Sequence, residues 1–175
     1  MNNFKKVLNF HFFIGILLLF LSCTEAEPLD KENYSQKKIK YFTFYIGQIP
    51  IQAELAILPR ERETGLMYRD ELKIGTGMLF VFKSATPQKF WMKNTRIPLD
   101  IGYFDENGIL KEVHAAKPFD KSGIPSKSKK IQIVLELNLN DFRSQGIKIG
   151  DRINFEGIRK AITERGLDPN DYLKL

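Results

Sequence analysis

From Lys40 onward the chain is punctuated too often to build long helices: apolar residues recur with a period of two over short runs, and turn residues end each run. Phe42, Phe44 and Ile46 share one side of the first run, and Tyr41, Thr43 and Tyr45 the other. After Gly47-Gln48, the residues Ile49, Ile51, Ala53, Leu55 and Ile57 alternate with Gln52 and Glu54, which predicts a hairpin. Ile97, Leu99, Ile101 and Tyr103 lead into Asp105-Glu106-Asn107-Gly108, where Asn-Gly tolerates the positive backbone angles of a tight turn, and residues 109–115 return. Residues 78–82 read as a strand buried on both faces, 89–92 as a short strand, and 131–137 as a longer one. Two further short runs, 147–149 and 152–155, flank Gly150-Asp151.

Helical signals are brief. Pro59 opens a turn or two that Gly65 closes, and Asn140 caps a short helix ending at Gly146. No crossover segment offers the length that parallel strands require, so about seven strands and two short helices predict a mainly β domain over residues 40–155, closed as a compact barrel. Residues 156–175 form a C-terminal extension, read as helical up to Gly166.

The first residues follow a different logic. Lys5 and Lys6 precede an apolar stretch over residues 7–21, shorter than a comfortable bilayer span, which ends in Phe20-Leu21-Ser22-Cys23. This order predicts a signal peptide over residues 1–22, with a motif that resembles the bacterial lipobox. That resemblance implies a diacylglycerol thioether on Cys23, although Phe20 stands where leucine is usual. Residues 23–39 are polar, contain Pro28, and read as a flexible tether. The expected product is a lipoprotein of the bacterial cell envelope, anchored to a membrane outside the cytoplasm. Cys23 is the one cysteine of the 175 residues, so no internal disulfide can staple the fold and packing alone must hold it.

Lys5 and Lys6 supply two of the net charges in +6, leaving a mild excess. Much of it lies in the loop holding Lys117, Lys121, Lys127, Lys129 and Lys130, which lacks the repeated aromatic interleaving that stacks bases. Nucleic acid is therefore not an expected partner; a glycan, a small anion or an envelope protein is.

Three ordered motifs stand out: Gly65-Leu66-Met67-Tyr68-Arg69, Gly77-Met78-Leu79-Phe80-Val81-Phe82, and Phe90-Trp91-Met92-Lys93-Asn94-Thr95-Arg96-Ile97-Pro98-Leu99-Asp100. With Leu135-Glu136-Leu137 and Gly150-Asp151, they resemble the family called domain of unknown function 192 over residues 52–155. The resemblance implies a small β-barrel-like fold and no established reaction. Asn140 occupies a position where that family commonly has glycine.

No nucleophile elbow, phosphate-binding glycine loop or zinc-spaced histidine pair occurs, so no catalytic residue, metal ligand or cofactor is assigned. Arg62, Arg69, Lys93, Asn94, Asp100 and Glu136 are polar groups set among apolar runs, and such groups need partners. One reading pairs Arg69 with Asp100 or Glu136 as an internal tie. The other gathers Arg62, Arg69, Trp91, Lys93, Asn94 and Asp100 into a ligand-binding site, where an indole packs on a ring and donors orient it. Two alternatives come from other classes. Met67, Met78, Met92 and His114 are soft groups suited to Cu(I), and Asp100 with Glu136 could serve as a carboxylate pair acting on cell-wall glycan.

Overall fold

The computed structural model describes residues 39–173; the leader, Cys23 and nearly all of the tether lie outside them. The first alternation becomes the hairpin β1 (Phe42–Ile46) and β2 (Ile49–Ala56), paired antiparallel. Helix α1 (Pro59–Thr64) follows, and its Glu61 carboxylate accepts the Ile57 and Leu58 amides, each at 3.1 Å. Glu61 also takes the Arg165 guanidinium at 2.6 Å. Burial pushes this carboxyl up, but Arg165 and the two amides outweigh it and hold Glu61 below the usual range.

The chain continues through β3 (Thr76–Thr86), β4 (Lys89–Phe90), β5 (Leu99–Asp105), β6 (Leu110–Ala116), β7 (Ile124–Pro125) and β8 (Ile131–Asn138). Helices α2 (Asp141–Ser144) and α3 (Phe155–Glu164) and a 3-10 turn (Pro169–Asp171) complete it. The fold is mainly β, as expected. Six strands form one sheet in the order β1-β2-β3-β8-β5-β6, and β4 pairs with β7 separately.

Two expectations are corrected. The sheet does not close into a barrel. The segment that could join its edges makes only single bridges, Ile46 to Ile153 and Ile109 to Arg152, in place of the two strands expected over 147–149 and 152–155. Second, β2 and β3 are parallel, because residues 57–75, with α1 inside them, are long enough for a crossover. The C-terminal segment, helical in α3 as expected, contributes Ile158, Ala161, Ile162, Tyr172 and Leu173 to the main core with Phe44, Leu79 and Leu135. Without them one face of the sheet would meet water, losing about 1.5–3 kcal/mol for each large side chain exposed.

The opposite face packs into a second core of Met78, Phe80, Leu99, Ile101, Tyr103 and Val134, covered by Leu66, Leu72, Met92 and Ile97 from loops. Helix α3 covers one face; irregular chain covers the other. Among the described residues no helix is long and apolar enough to cross a membrane.

Candidate functional site

Alternation places side chains, and the register then lines them up across strands. On the loop-covered face Glu54 pairs with Met78, Met78 with Glu136, Glu136 with Ile101, and Ile101 with His114, making one row across β2, β3, β8, β5 and β6. Two carboxylates thus share a face with one strand between them. Arg69 comes down from the crossover loop and holds Glu54 with both nitrogens, Nη1 to Oε1 and Nη2 to Oε2, the second at 2.8 Å. Their side chains are 9% and 16% exposed, so this pair is largely removed from water. Glu136 is 4% exposed; burial pushes its carboxyl up to about 8, against the opposing pull of Arg69.

Arg69 is therefore an internal tie, with Glu54 as its ion-pair partner in place of Asp100. Asp100 pairs in register with Leu137, the neighbour of Glu136, and so projects from the other face of the sheet. Burial pushes its carboxyl up, while the backbone N–H groups of Asn140 and Phe142, which donate to it, pull it down. Asp100, and not the Asn140 side chain, therefore serves the start of α2. Asn140 itself sits at φ 72°, left-handed, which explains a glycine-like demand that asparagine can meet. Asp100 and Glu136 do not form a carboxylate pair.

Arg62 is spent within the scaffold, donating to the Ile57 carbonyl and lying 5.1 Å over the Phe82 ring. Met78 and Met92 are buried in the second core. His114 stands 2.7 Å from Glu112 and edge-on to Tyr103, at 5.6 Å between rings. Burial pushes the Glu112 carboxyl up, but the Ser128 amide, His114 and the Lys127 amide hold it below the usual range.

The remaining candidates meet where three loops are tied together. The Tyr68 N–H donates to the Asn94 carbonyl at 2.8 Å, and the Asn94 side-chain amide donates to the Tyr68 hydroxyl at 2.7 Å. The Met92 N–H donates to the Asp120 carbonyl at 2.8 Å, and the Phe119 N–H to the Thr95 carbonyl at 3.1 Å. Each loop holds a non-glycine residue in the left-handed region: Tyr68 at φ 66°, Asn94 at 57° and Phe119 at 62°. Such backbone costs roughly 1–3 kcal/mol per residue and persists only where the surroundings enforce it. On this base Trp91 is 45% exposed and Phe119 59%, and the Lys93 Nζ lies 5.0 Å over the indole ring.

Of the six ligand-site candidates, Trp91, Lys93 and Asn94 are thus brought together. Arg69 lies in the loop that Tyr68 ties to them, while Arg62 and Asp100 stand apart. The sequence reading missed Glu54, Tyr68 and Phe119. Glu54 looked like an ordinary outward residue of a hairpin. Phe119 carried a signal, as an aromatic between Pro118 and Asp120 in a lysine-rich loop.

The architecture defines an open six-stranded mixed sheet, with one helix-covered and one loop-covered face, and a separate two-stranded sheet. The chain belongs to the family DUF192, described as Uncharacterized ACR, COG1430, whose model matches residues 43–155. It is similar, at 32% identity and a TM-score of 0.61, to a protein from Sinorhizobium meliloti 1021 described as a proposed transcription regulator, covering 67% of this chain and 95% of that one. It is also similar, at 32% identity and a TM-score of 0.60, to a protein of unknown function from Novosphingobium aromaticivorans DSM 12444, covering 66% of this chain and 84% of that one. No curated protein matches it.

Proposed function

We propose that this chain is an exported bacterial lipoprotein, anchored through Cys23, whose domain binds a small anionic ligand with an apolar ring face, an acidic saccharide being the class that meets both conditions. The observation that carries the reading is the trio of tied loops, each strained at a non-glycine residue, on which Trp91 and Phe119 are exposed and Lys93 lies over the indole ring. Strain of this kind has a cost in stability, and enforced strain clusters where function requires a fixed geometry. An indole offers an apolar face for a sugar ring, and Lys93 supplies charge for an acidic group. Lys117 and Lys121, on the loop of Phe119, add to the same field.

The unit Gln36–Leu175 contains both cores and is the species to test. Trp91 is the only tryptophan, so its fluorescence reports directly on the site. Titration with acidic oligosaccharides should shift that emission, and ligand at 100-fold its dissociation constant should add about 2.7 kcal/mol to stability. Trp91→Ala should abolish the stabilisation with its own unfolding midpoint nearly unchanged. An unaltered ligand response in Trp91→Ala would overturn the reading.

A further inference from the structure

The two edges of the large sheet are treated differently. Beside β1, helix α3 packs so closely that a Cβ on Gly157 would stand 2.9 Å from the Thr43 carbonyl oxygen, and the Asn154 N–H donates to the Tyr45 carbonyl at 2.8 Å. Beside β6 a partner is present only at the start. The Leu110 N–H donates to the Asp151 carbonyl at 2.8 Å, the Gly150 N–H donates to the Leu110 carbonyl at 2.9 Å, and Ile109 bridges Arg152. Beyond that point, among the described residues, no backbone hydrogen bond meets the outer edge of β6 over residues 111–116.

A depression of about 540 Å³ adjoins this edge on the sheet face from which Asp100 projects, lined by Asp100 of β5, Val113 and Ala115 of β6, and Ile147 and Ile149. Ile149 is 60% exposed, so the depression has an apolar wall open to solvent. Arg143 and Lys148 also line it; both are exposed, and among the described residues neither has an ion-pair partner. The carboxylate in the lining, Asp100, is buried and engaged by backbone amides.

An open strand edge is a row of unpaired donors and acceptors that templates a further strand. Leu110, the first residue of β6, already exchanges two backbone hydrogen bonds with Gly150 and Asp151, and the groove beside the strand supplies both apolar contact and unpaired positive charge. We propose that the edge of β6 takes an extended segment of a partner protein in which every second side chain, the set turned toward the depression, is apolar or acidic. Its backbone pairs with residues 111–116, its apolar side chains fill the depression, and its carboxylates meet Arg143 and Lys148. The edge is about 20 Å long and admits about six residues. It shares no residue with the aromatic site.

The probe is a synthetic peptide of about eight residues in which threonine takes every second position and valine and glutamate take the others in turn, set against the same peptide with lysine for glutamate. With the unit Gln36–Leu175, the glutamate peptide should slow amide exchange over residues 111–116 by about tenfold or more, and the lysine peptide should not. The double variant Arg143→Glu, Lys148→Glu changes only exposed side chains and should invert that preference with the thermal midpoint retained. Trp91→Ala should bind the glutamate peptide as the parent does. Equal protection by both peptides, protection away from β6, or loss of binding in Trp91→Ala would each overturn the proposal. So would protection of β6 that rises with protein concentration in the absence of peptide, since the occupant would then be a second copy.

Discussion

Replacing Glu136 by glutamine should flatten the pH dependence of stability between about pH 5 and pH 8. Glu136 is 4% exposed, and its carboxyl is pushed from the ordinary 4.5 up to about 8, chiefly by burial. Below pH 4.5 the group is protonated in both folded and unfolded chains and adds no pH dependence. Between the two values the unfolded chain releases the proton and the folded chain keeps it, so stability falls as pH rises, by about 1.4 kcal/mol per unit. Above about 8 both states are ionised and the full difference, between about 4 and 5 kcal/mol, has been lost. Glutamine has nearly the same shape and cannot ionise. Urea unfolding of Gln36–Leu175 at half-unit steps from pH 5 to pH 9 should therefore give parent and variant similar stabilities at pH 5, with the variant increasingly the more stable above it. Two curves that run parallel across the whole range would refute the buried-acid argument.

Other outcomes follow from the same geometry. Arg69→Met should cost about 3–5 kcal/mol because it leaves the Glu54 carboxylate without its ion-pair partner in a largely buried place, and adding Glu54→Gln should recover part of that loss in a double-mutant cycle. Gly77→Ala should destabilise by about 1–3 kcal/mol or prevent folding, since its Cβ would stand 2.4 Å from the backbone oxygen of Glu136; a neutral effect by calorimetry would contradict the strand packing. Phe119→Gly relieves a left-handed backbone at an exposed ring, so its midpoint should hold or rise by up to about 1 kcal/mol in stability terms while ligand affinity falls. Glu112 contributes stability above its ordinary range that is lost as pH falls through its lowered folded value, so Glu112→Gln should flatten the acid limb of the same urea profile.

Much of the local structure was legible because its causes lie within a few residues. Asn107-Gly108 makes its turn where the sequence says, with Gly108 at φ 74°, and the alternating runs become β1, β2, β5 and β6 nearly in place. Asn94 and Trp91 were also visible as a polar and an aromatic residue in one motif, although the strand expected over 89–92 stops at Phe90 and leaves Trp91 outside it. Less visible was that Arg69 would choose Glu54, because that choice needs β2 and β3 to be parallel and the crossover loop to cover their common face. From sequence the crossover looked too short, and a short helix followed by irregular chain gives no periodic signal of its length.

Thus the one-dimensional pattern by itself determined the β class, the hairpins, the family and the segments that carry the candidate residues. Tertiary structure alone decided that the sheet stays open, that Asp100 and Glu136 face opposite ways, and that Glu136 is sealed beneath loops. The reason is physical: turns and strand alternation arise from backbone and side-chain preferences among neighbours. Burial, pKa and edge pairing depend instead on which distant segment covers which face.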